Sequence, residues 1–155
     1  MAKQSLQKEN NIVKNLTVFL ANSYILYVKT QNFHWNVVDP RFYSLHKFFE
    51  EQYEDFQEGI DEIAERIRML QAMSPGSMAE FLKLGTLKES SAKSLSANQM
   101  INELLVDHET VIKDLHRDIA NANTAGDDGT ADMMIQRIRF HEKTSWMLRS
   151  HITGV

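Results

Sequence analysis

The segment from Asn32 to Leu70 constrains this 155-residue chain more than any other. Asn32-Phe33-His34-Trp35-Asn36 precedes Val37-Val38-Asp39-Pro40, and His46 follows. The residue before a proline avoids helical geometry, so Asp39-Pro40 closes a break between two helices. From Phe49 the apolar residues Phe49, Tyr53, Phe56, Ile60, Ile63, Ile67 and Leu70 recur at alternating four- and three-residue steps. That spacing lays one core-facing stripe along one helix. From Glu50 to Glu65 the same helix holds eight acidic residues and no basic one, so negative charge is concentrated beside the stripe.

Asp61 and Glu65 lie four residues apart, roughly 40° apart in projection and one turn apart in height, so both carboxylates point the same way. Alone, such a pair reads as a solvated face. A cation between them relieves their repulsion, and carboxylates combined with imidazoles suit iron, manganese or zinc. His34 and His46 flank the break, and an antiparallel helical hairpin brings both to one end. Asp61 is fifteen residues beyond His46, roughly 22 Å along a straight helix. The histidines and the Asp61/Glu65 pair therefore cannot share an ion within one chain. They can share one if this helix packs antiparallel against its own copy across a two-fold axis, which gives two sites per dimer.

These residues resemble the Dps proteins, the mini-ferritins of starved bacterial cells. The likeness rests on Asn-Phe-His-Trp-Asn, the second histidine twelve residues on, and Asp-x-x-x-Glu fifteen residues after that. It extends to Gly126-Asp127-Asp128-Gly129-Thr130-Ala131-Asp132-Met133 and Arg139-Phe140-His141-Glu142-Lys143. The resemblance implies a ferritin-like four-helix bundle with a short extra helix between the second and third helices, assembled as a twelve-subunit hollow shell. It implies ferroxidase centres at two-fold interfaces that oxidise Fe(II), preferably with hydrogen peroxide rather than oxygen, and a cavity that stores ferric mineral. His34, His46, Asp61 and Glu65 take the ligand roles, with iron as the metal and zinc or manganese as substitutes. Glu50 stands where many members carry an aspartate, as a direct or a water-mediated ligand.

The rest of the chain agrees with an all-α protein forming a single domain over 1–155. It has two prolines, six glycines and long periodic stretches. With no cysteine, neither a disulfide nor a thiolate metal site can form. The N-terminal residues lack the apolar core of a signal peptide and no stretch reaches membrane-spanning length, which reads as cytoplasmic, or nucleoid-associated where DNA is bound. Residues 1–7 are expected as a flexible tail. The periodicity predicts a first helix from near Lys8 to Trp35 and a second from about Arg41 to Met73. Gly59 in the second marks either close approach of a neighbour or simple tolerance. Ser74-Pro75 reads as the start of a short helix over 76–84, closed by Gly85. Ser96-Ala97-Asn98-Gln99 is a capping box for the third helix, which carries Ile101, Leu104, Leu105, Ile112, Leu115 and Ile119 and ends between Asn121 and Gly126. The fourth runs from near Asp128 to about His151, with Met134, Ile138, His141, Ser145 and Leu148 along one side.

Other residues admit two readings each. Trp35 is either an amphipathic ring packed at the hairpin end or, as the resemblance implies, a redox-active neighbour of the iron site. Trp146 is ambiguous in the same way. Asp127 reads as a cap of the fourth helix. Asp128 and Asp132 stack two acids on one face, and by resemblance line an acidic pore at a three-fold axis that draws Fe(II) inward. Glu51, Glu54, Asp55 and Glu58 are either a solvated face or an inner surface where mineral nucleates. His108, His116, His141 and His151 read as structural or exposed. Neither His-Glu-x-x-His nor Glu-x-x-His occurs, which argues against a zinc-protease site and against the intra-bundle di-iron site of larger ferritin-like proteins.

The leading function is therefore a homo-oligomeric shell that consumes Fe(II) and peroxide together and protects DNA from oxidative damage. A second is a DNA-compacting stress protein whose iron chemistry is secondary. In the family, compaction usually uses a lysine-rich terminus. Here the N-terminal segment offers Lys3 and Lys8 against Glu9, and 150–155 carry no fixed positive charge. With a net charge of −4, DNA binding is expected to be weak or absent at neutral pH. A plain helical interaction module leaves the four ligand positions unexplained.

Overall fold

The computed structural model describes the backbone of residues 2–152 and the side chains of residues 11–152. Among the described residues every regular element is helical: α1 (Ala2–Asn36), α2 (Phe42–Met69), α3 (Met78–Leu84), α4 (Ala97–Ala125) and α5 (Asp128–Ile152), with one 3-10 turn at Ala92–Ser94. α1 begins before the Lys8 expected from periodicity, and the mobility expected of residues 1–7 lies outside the described side chains. α1 pairs with α2, α4 pairs with α5, and α3 lies against α1 in the long connection between the two hairpins. This is the ferritin-like bundle with a short extra helix that the sequence implies. No described helix is long and apolar enough to cross a membrane.

The core follows the helical periodicities. Leu16, Leu20 and Phe33 of α1 and Phe49, Phe56, Ile63 and Ile67 of α2 are fully buried. From the second hairpin, Ile101, Leu104 and Leu115 of α4 and Met134 and Leu148 of α5 close the same core. Tyr53, assigned to the α2 stripe, is only half-buried and sits at the seam between α1 and α2. Ile112 and Ile119 are likewise partly exposed, and Val111 and His108 take the buried positions on α4.

The helix ends show which local signals act. Ser96 and Gln99 form the expected capping box, and Gly126 ends α4 in a left-handed conformation (φ 74°) that glycine adopts without a Cβ clash. α2 stops at Met69, short of Met73, because Gln71 turns the chain at φ 62° while the Ala72 N–H donates to the Ile67 carbonyl. The short helix is capped by Ser77 rather than Ser74. Its hydroxyl accepts from the Glu80 N–H and donates to the Glu80 carboxylate at 2.7 Å. The crossover is tied to α1 by the Asn22 carboxamide, which accepts from the Thr86 and Leu87 N–H groups at 2.8 and 3.1 Å. Tyr24 stacks on Phe81 at 4.0 Å.

Gly59 is a close-approach position. A Cβ there would lie 2.5 Å from the Arg137 guanidinium carbon of α5. Arg137 in turn bonds Asp55 at 2.7 Å and lies 4.5 Å over the Phe140 ring.

Candidate metal centre

Phe33 anchors the end of α1 in the core, its ring 6.5 Å from that of Phe49, so the next residue, His34, reaches the α1/α2 seam. The break beyond it is pinned by Asp39 and Arg41. The Asp39 carboxylate accepts from the Arg41 N–H at 2.8 Å and from its guanidinium at 2.7 and 3.0 Å. Arg41 also donates to the His151 carbonyl and to Asn98, tying the break to α5 and α4. The Arg41 partner holds the Asp39 carboxyl down at about 2. α2 can then start at Phe42 and carry His46 alongside His34.

The two imidazoles stack with centroids 3.7 Å apart and ring planes 17° apart. His34 Nδ1 lies 2.7 Å from the His46 carbonyl oxygen, and His46 Nδ1 lies 2.9 Å from the His34 carbonyl oxygen. A carbonyl only accepts, so both Nδ1 atoms carry the proton. In a neutral imidazole the other nitrogen, Nε2, then presents a lone pair. Metal-binding histidines are commonly oriented in this way, by a backbone carbonyl on the second nitrogen. Here each histidine orients the other.

Glu50 lies one turn past His46. An ion pair with Lys47 holds its carboxyl below the usual range, and both imidazoles contribute in the same direction. Trp35 projects into solvent, 66% exposed. Tyr53, which periodicity assigned to the core, meets the His34 ring edge-on at 5.2 Å.

Asp61 and Glu65 are exposed, far down α2 from the histidines. Asp61 shares an open groove of about 600 Å³ with Tyr24, Tyr27, Glu54 and Glu58. Among the described residues, no three His, Asp or Glu side chains of the chain gather to hold an ion. The imidazole pair and the Asp61/Glu65 pair thus stand apart within the chain. Of the acidic run, Glu54 and Glu58 line the groove, while Asp55 is committed to Arg137.

At the start of α5, Asp127 caps the helix, accepting from the Thr130 N–H at 3.0 Å and its hydroxyl at 2.6 Å, and pairs with Arg66 at 2.6 Å. Burial alone would raise its carboxyl; the bonds from Thr130 and the Arg66 charge hold it below its usual value. Asp128 and Asp132 are exposed. His116 is exposed and His151 packs its ring 5.3 Å from Phe48. His108 and His141, by contrast, are completely buried and bonded to each other, a pairing across 33 residues that no local pattern signals.

A ferritin-like domain model matches residues 13–155. A Bacillus anthracis protein named DNA protection during starvation protein 2 is 32% identical over 91% of this chain and 96% of its own length. The X-ray structure of Dps from Thermosynechococcus elongatus superposes with a TM-score of 0.94 at 33% identity, covering 97% of this chain and 95% of that one. The chain belongs to the Dps family. A third Dps, from Vibrio cholerae, is described as a member of a broad superfamily of ferritin-like diiron-carboxylate proteins. It matches at TM-score 0.90 and 32% identity, over 95% of this chain and 92% of its own. Membership in Dps supports a general role in stress protection on an iron-related fold. In this Dps chain the interior of the bundle offers Phe56, His108 and His141 where larger ferritin-like proteins carry carboxylates and Glu-x-x-His pairs.

Proposed function

We propose that this Dps protein is a ferroxidase that oxidises Fe(II) with hydrogen peroxide and stores the ferric product in a twelve-subunit shell in the bacterial cytoplasm, shielding DNA from peroxide damage. The reciprocal Nδ1–H bonds of His34 and His46 carry this reading, because they leave two Nε2 lone pairs for an ion on a chain that keeps Asp61 and Glu65 elsewhere. Each centre forms where these imidazoles meet Asp61 and Glu65 of a two-fold mate, with Glu50 beside them and open positions for peroxide and a second iron. The reaction balances as two Fe(II), one peroxide and two protons giving two Fe(III) and two water molecules. Both reactants of hydroxyl-radical formation, Fe(II) and peroxide, are consumed together. Iron is substrate and cargo, and zinc or manganese can occupy the same donors. Asp128 and Asp132 line the admission pore, and Trp35 exchanges an electron when iron and oxidant are mismatched.

Complementation tests the reading. Anaerobic Fe(II) titration of shells built only from His46→Ala chains, or only from Asp61→Ala chains, is expected to lose the tight sites. Shells co-assembled from both regain part of them, since one mixed dimer pairs an intact His46 with an intact Asp61. Tight binding that survives in either parent shell would falsify the shared-centre assignment.

A further inference from the structure

Three of the four tyrosines stand in one row along the α1/α2 seam. Tyr53 meets His34 edge-on at 5.2 Å. Tyr27 meets Tyr53 edge-on at 6.1 Å, with ring planes 88° apart. Tyr24 sits one turn before Tyr27 on α1, and both line the groove that contains Asp61. All three are half-buried, whereas Tyr43, the fourth, is 75% exposed. The fully buried core positions on α1 and α2 use phenylalanine instead, at Phe33, Phe49 and Phe56. The Tyr27 hydroxyl accepts from the Gln31 carboxamide at 3.1 Å. Both ring contacts fall in the range of direct aromatic contact, about 4.5–7 Å.

We propose that Tyr53, Tyr27 and Tyr24 are an electron relay that joins the imidazole half-site of a chain to the carboxylate half-site of the same chain. The relay rests on the shared-centre reading above. In a two-fold dimer those halves belong to different centres, so the row couples the two centres of one interface. When a centre holds one Fe(II) and its second iron position is empty, the local iron gives one of the two electrons that peroxide needs; a peroxide that receives only one releases hydroxyl radical. The two halves are roughly 22 Å apart along α2, and electron tunnelling falls exponentially with distance, so steps through the contacting rings of His34, Tyr53 and Tyr27, and on to Tyr24 one turn away, outrun one direct jump. At the His34 centre, peroxide takes one electron from the local Fe(II). It takes the second from Tyr53, which gives up that electron and its phenolic proton. Tyr27 and then Tyr24 refill Tyr53, and Fe(II) at the far centre refills Tyr24 as the proton returns. The sum is again two Fe(II) and one peroxide with two protons, giving two Fe(III) and two water molecules.

Tyr53→Phe and Tyr27→Phe keep the rings and remove the phenols. Shells are loaded anaerobically with one Fe(II) per centre and given limiting peroxide. Ferric iron formed per peroxide, spin-trapped hydroxyl radical and freeze-quenched tyrosyl signal are then read. Wild-type shells and a Tyr43→Phe control are expected to form two Fe(III) per peroxide with little hydroxyl adduct. Both relay variants are expected to bind Fe(II) normally and fall toward one Fe(III) per peroxide. Tyr53→Phe also raises the adduct severalfold and loses the tyrosyl signal, whereas Tyr27→Phe strands an unrefilled Tyr53 radical, so its tyrosyl signal outlasts that of the wild type. Two Fe(III) per peroxide in both relay variants, with unchanged adduct, overturns the relay and leaves the ferroxidase reading standing. Wild-type shells that neither bind nor oxidise Fe(II) overturn both.

Discussion

His108 and His141 face each other in the centre of the bundle, Nδ1 to Nδ1 at 2.8 Å, and neither Nε2 has a hydrogen-bond partner among the described residues. One ring must donate and the other accept, which requires at least one neutral imidazole and favours two. Phe19, Phe56 and Phe140 surround the pair. Burial, followed by the Arg137 charge, pushes His108 down to about 3; burial, with His108 and Arg137, holds His141 well below its ordinary value.

The sign of the linked pH effect follows. Between pH 6.5 and about 3 the unfolded chain binds protons that the folded chain refuses, so stability falls as pH falls through that window. Each histidine contributes a slope of up to about 1.4 kcal/mol per pH unit. Urea midpoints measured from pH 7 to pH 4 are expected to drop steeply, and the slope is expected to flatten in a His108→Leu, His141→Leu double variant. His141→Leu alone strands the remaining imidazole and costs about 1–3 kcal/mol at pH 7. A double variant with the wild-type acid slope would move the origin of that slope to other groups.

Gly59 gives the second prediction. Alanine there gains roughly 1 kcal/mol of helix propensity, but its Cβ falls 2.5 Å from a guanidinium held by Asp55 and Phe140. Overpacking of this kind costs about 1–3 kcal/mol, so Gly59→Ala is expected to destabilise by on the order of 1 kcal/mol. Pairing it with Arg137→Ala, which empties the space, reverses the sign of the Gly59→Ala step in a double-mutant cycle.

Much of this architecture follows from patterns within single helices. The four-three spacing of Phe49, Phe56, Ile60, Ile63 and Ile67 gives the α2 core face, and Ser96 with Gln99 marks the start of α4. The separation of His46 from Asp61 along one helix likewise keeps the imidazole pair and the carboxylate pair apart within a chain, which the sequence alone shows. Three-dimensional pairings are different. Tyr27 with Tyr53, and His108 with His141, come from different helices, and no periodicity encodes which residues meet across a bundle. Ser77 was obscured for another reason: Ser74-Pro75 has the composition of a helix start, yet Glu80 stands three residues after Ser77, where its carboxylate completes a cap.

DNA retention follows from charge. Phosphate contacts release counterions and need clustered lysine or arginine. Residues 1–10 hold Lys3 and Lys8 against Glu9, in a chain of net charge −4. Gel shifts with purified shells at neutral pH and physiological salt are expected to leave plasmid unretarded, while a variant with four lysines added at the N-terminus retards it in a salt-dependent way. Retention by the unmodified shell at physiological salt would reverse this assignment.

The three aspartates at the start of α5 differ in their surroundings. Asp127 is spent on the fold: Thr130 and Arg66 both bond it, and Arg66 Nε also donates to the Thr130 hydroxyl at 2.9 Å, closing a ring of contacts between α2 and α5. Its replacement by alanine removes a cap and is expected to cost about 1–2 kcal/mol, read as a lower urea midpoint. Asp128 and Asp132 are exposed and four residues apart on one face, so Asp128→Asn with Asp132→Asn leaves the midpoint within about 0.5 kcal/mol. If they draw iron inward, that double variant slows Fe(II) uptake severalfold at low ionic strength and little at high salt, because steering by exposed charge is screened. Equal uptake at low salt would return Asp128 and Asp132 to ordinary solvated acids, with Asp127 still the cap.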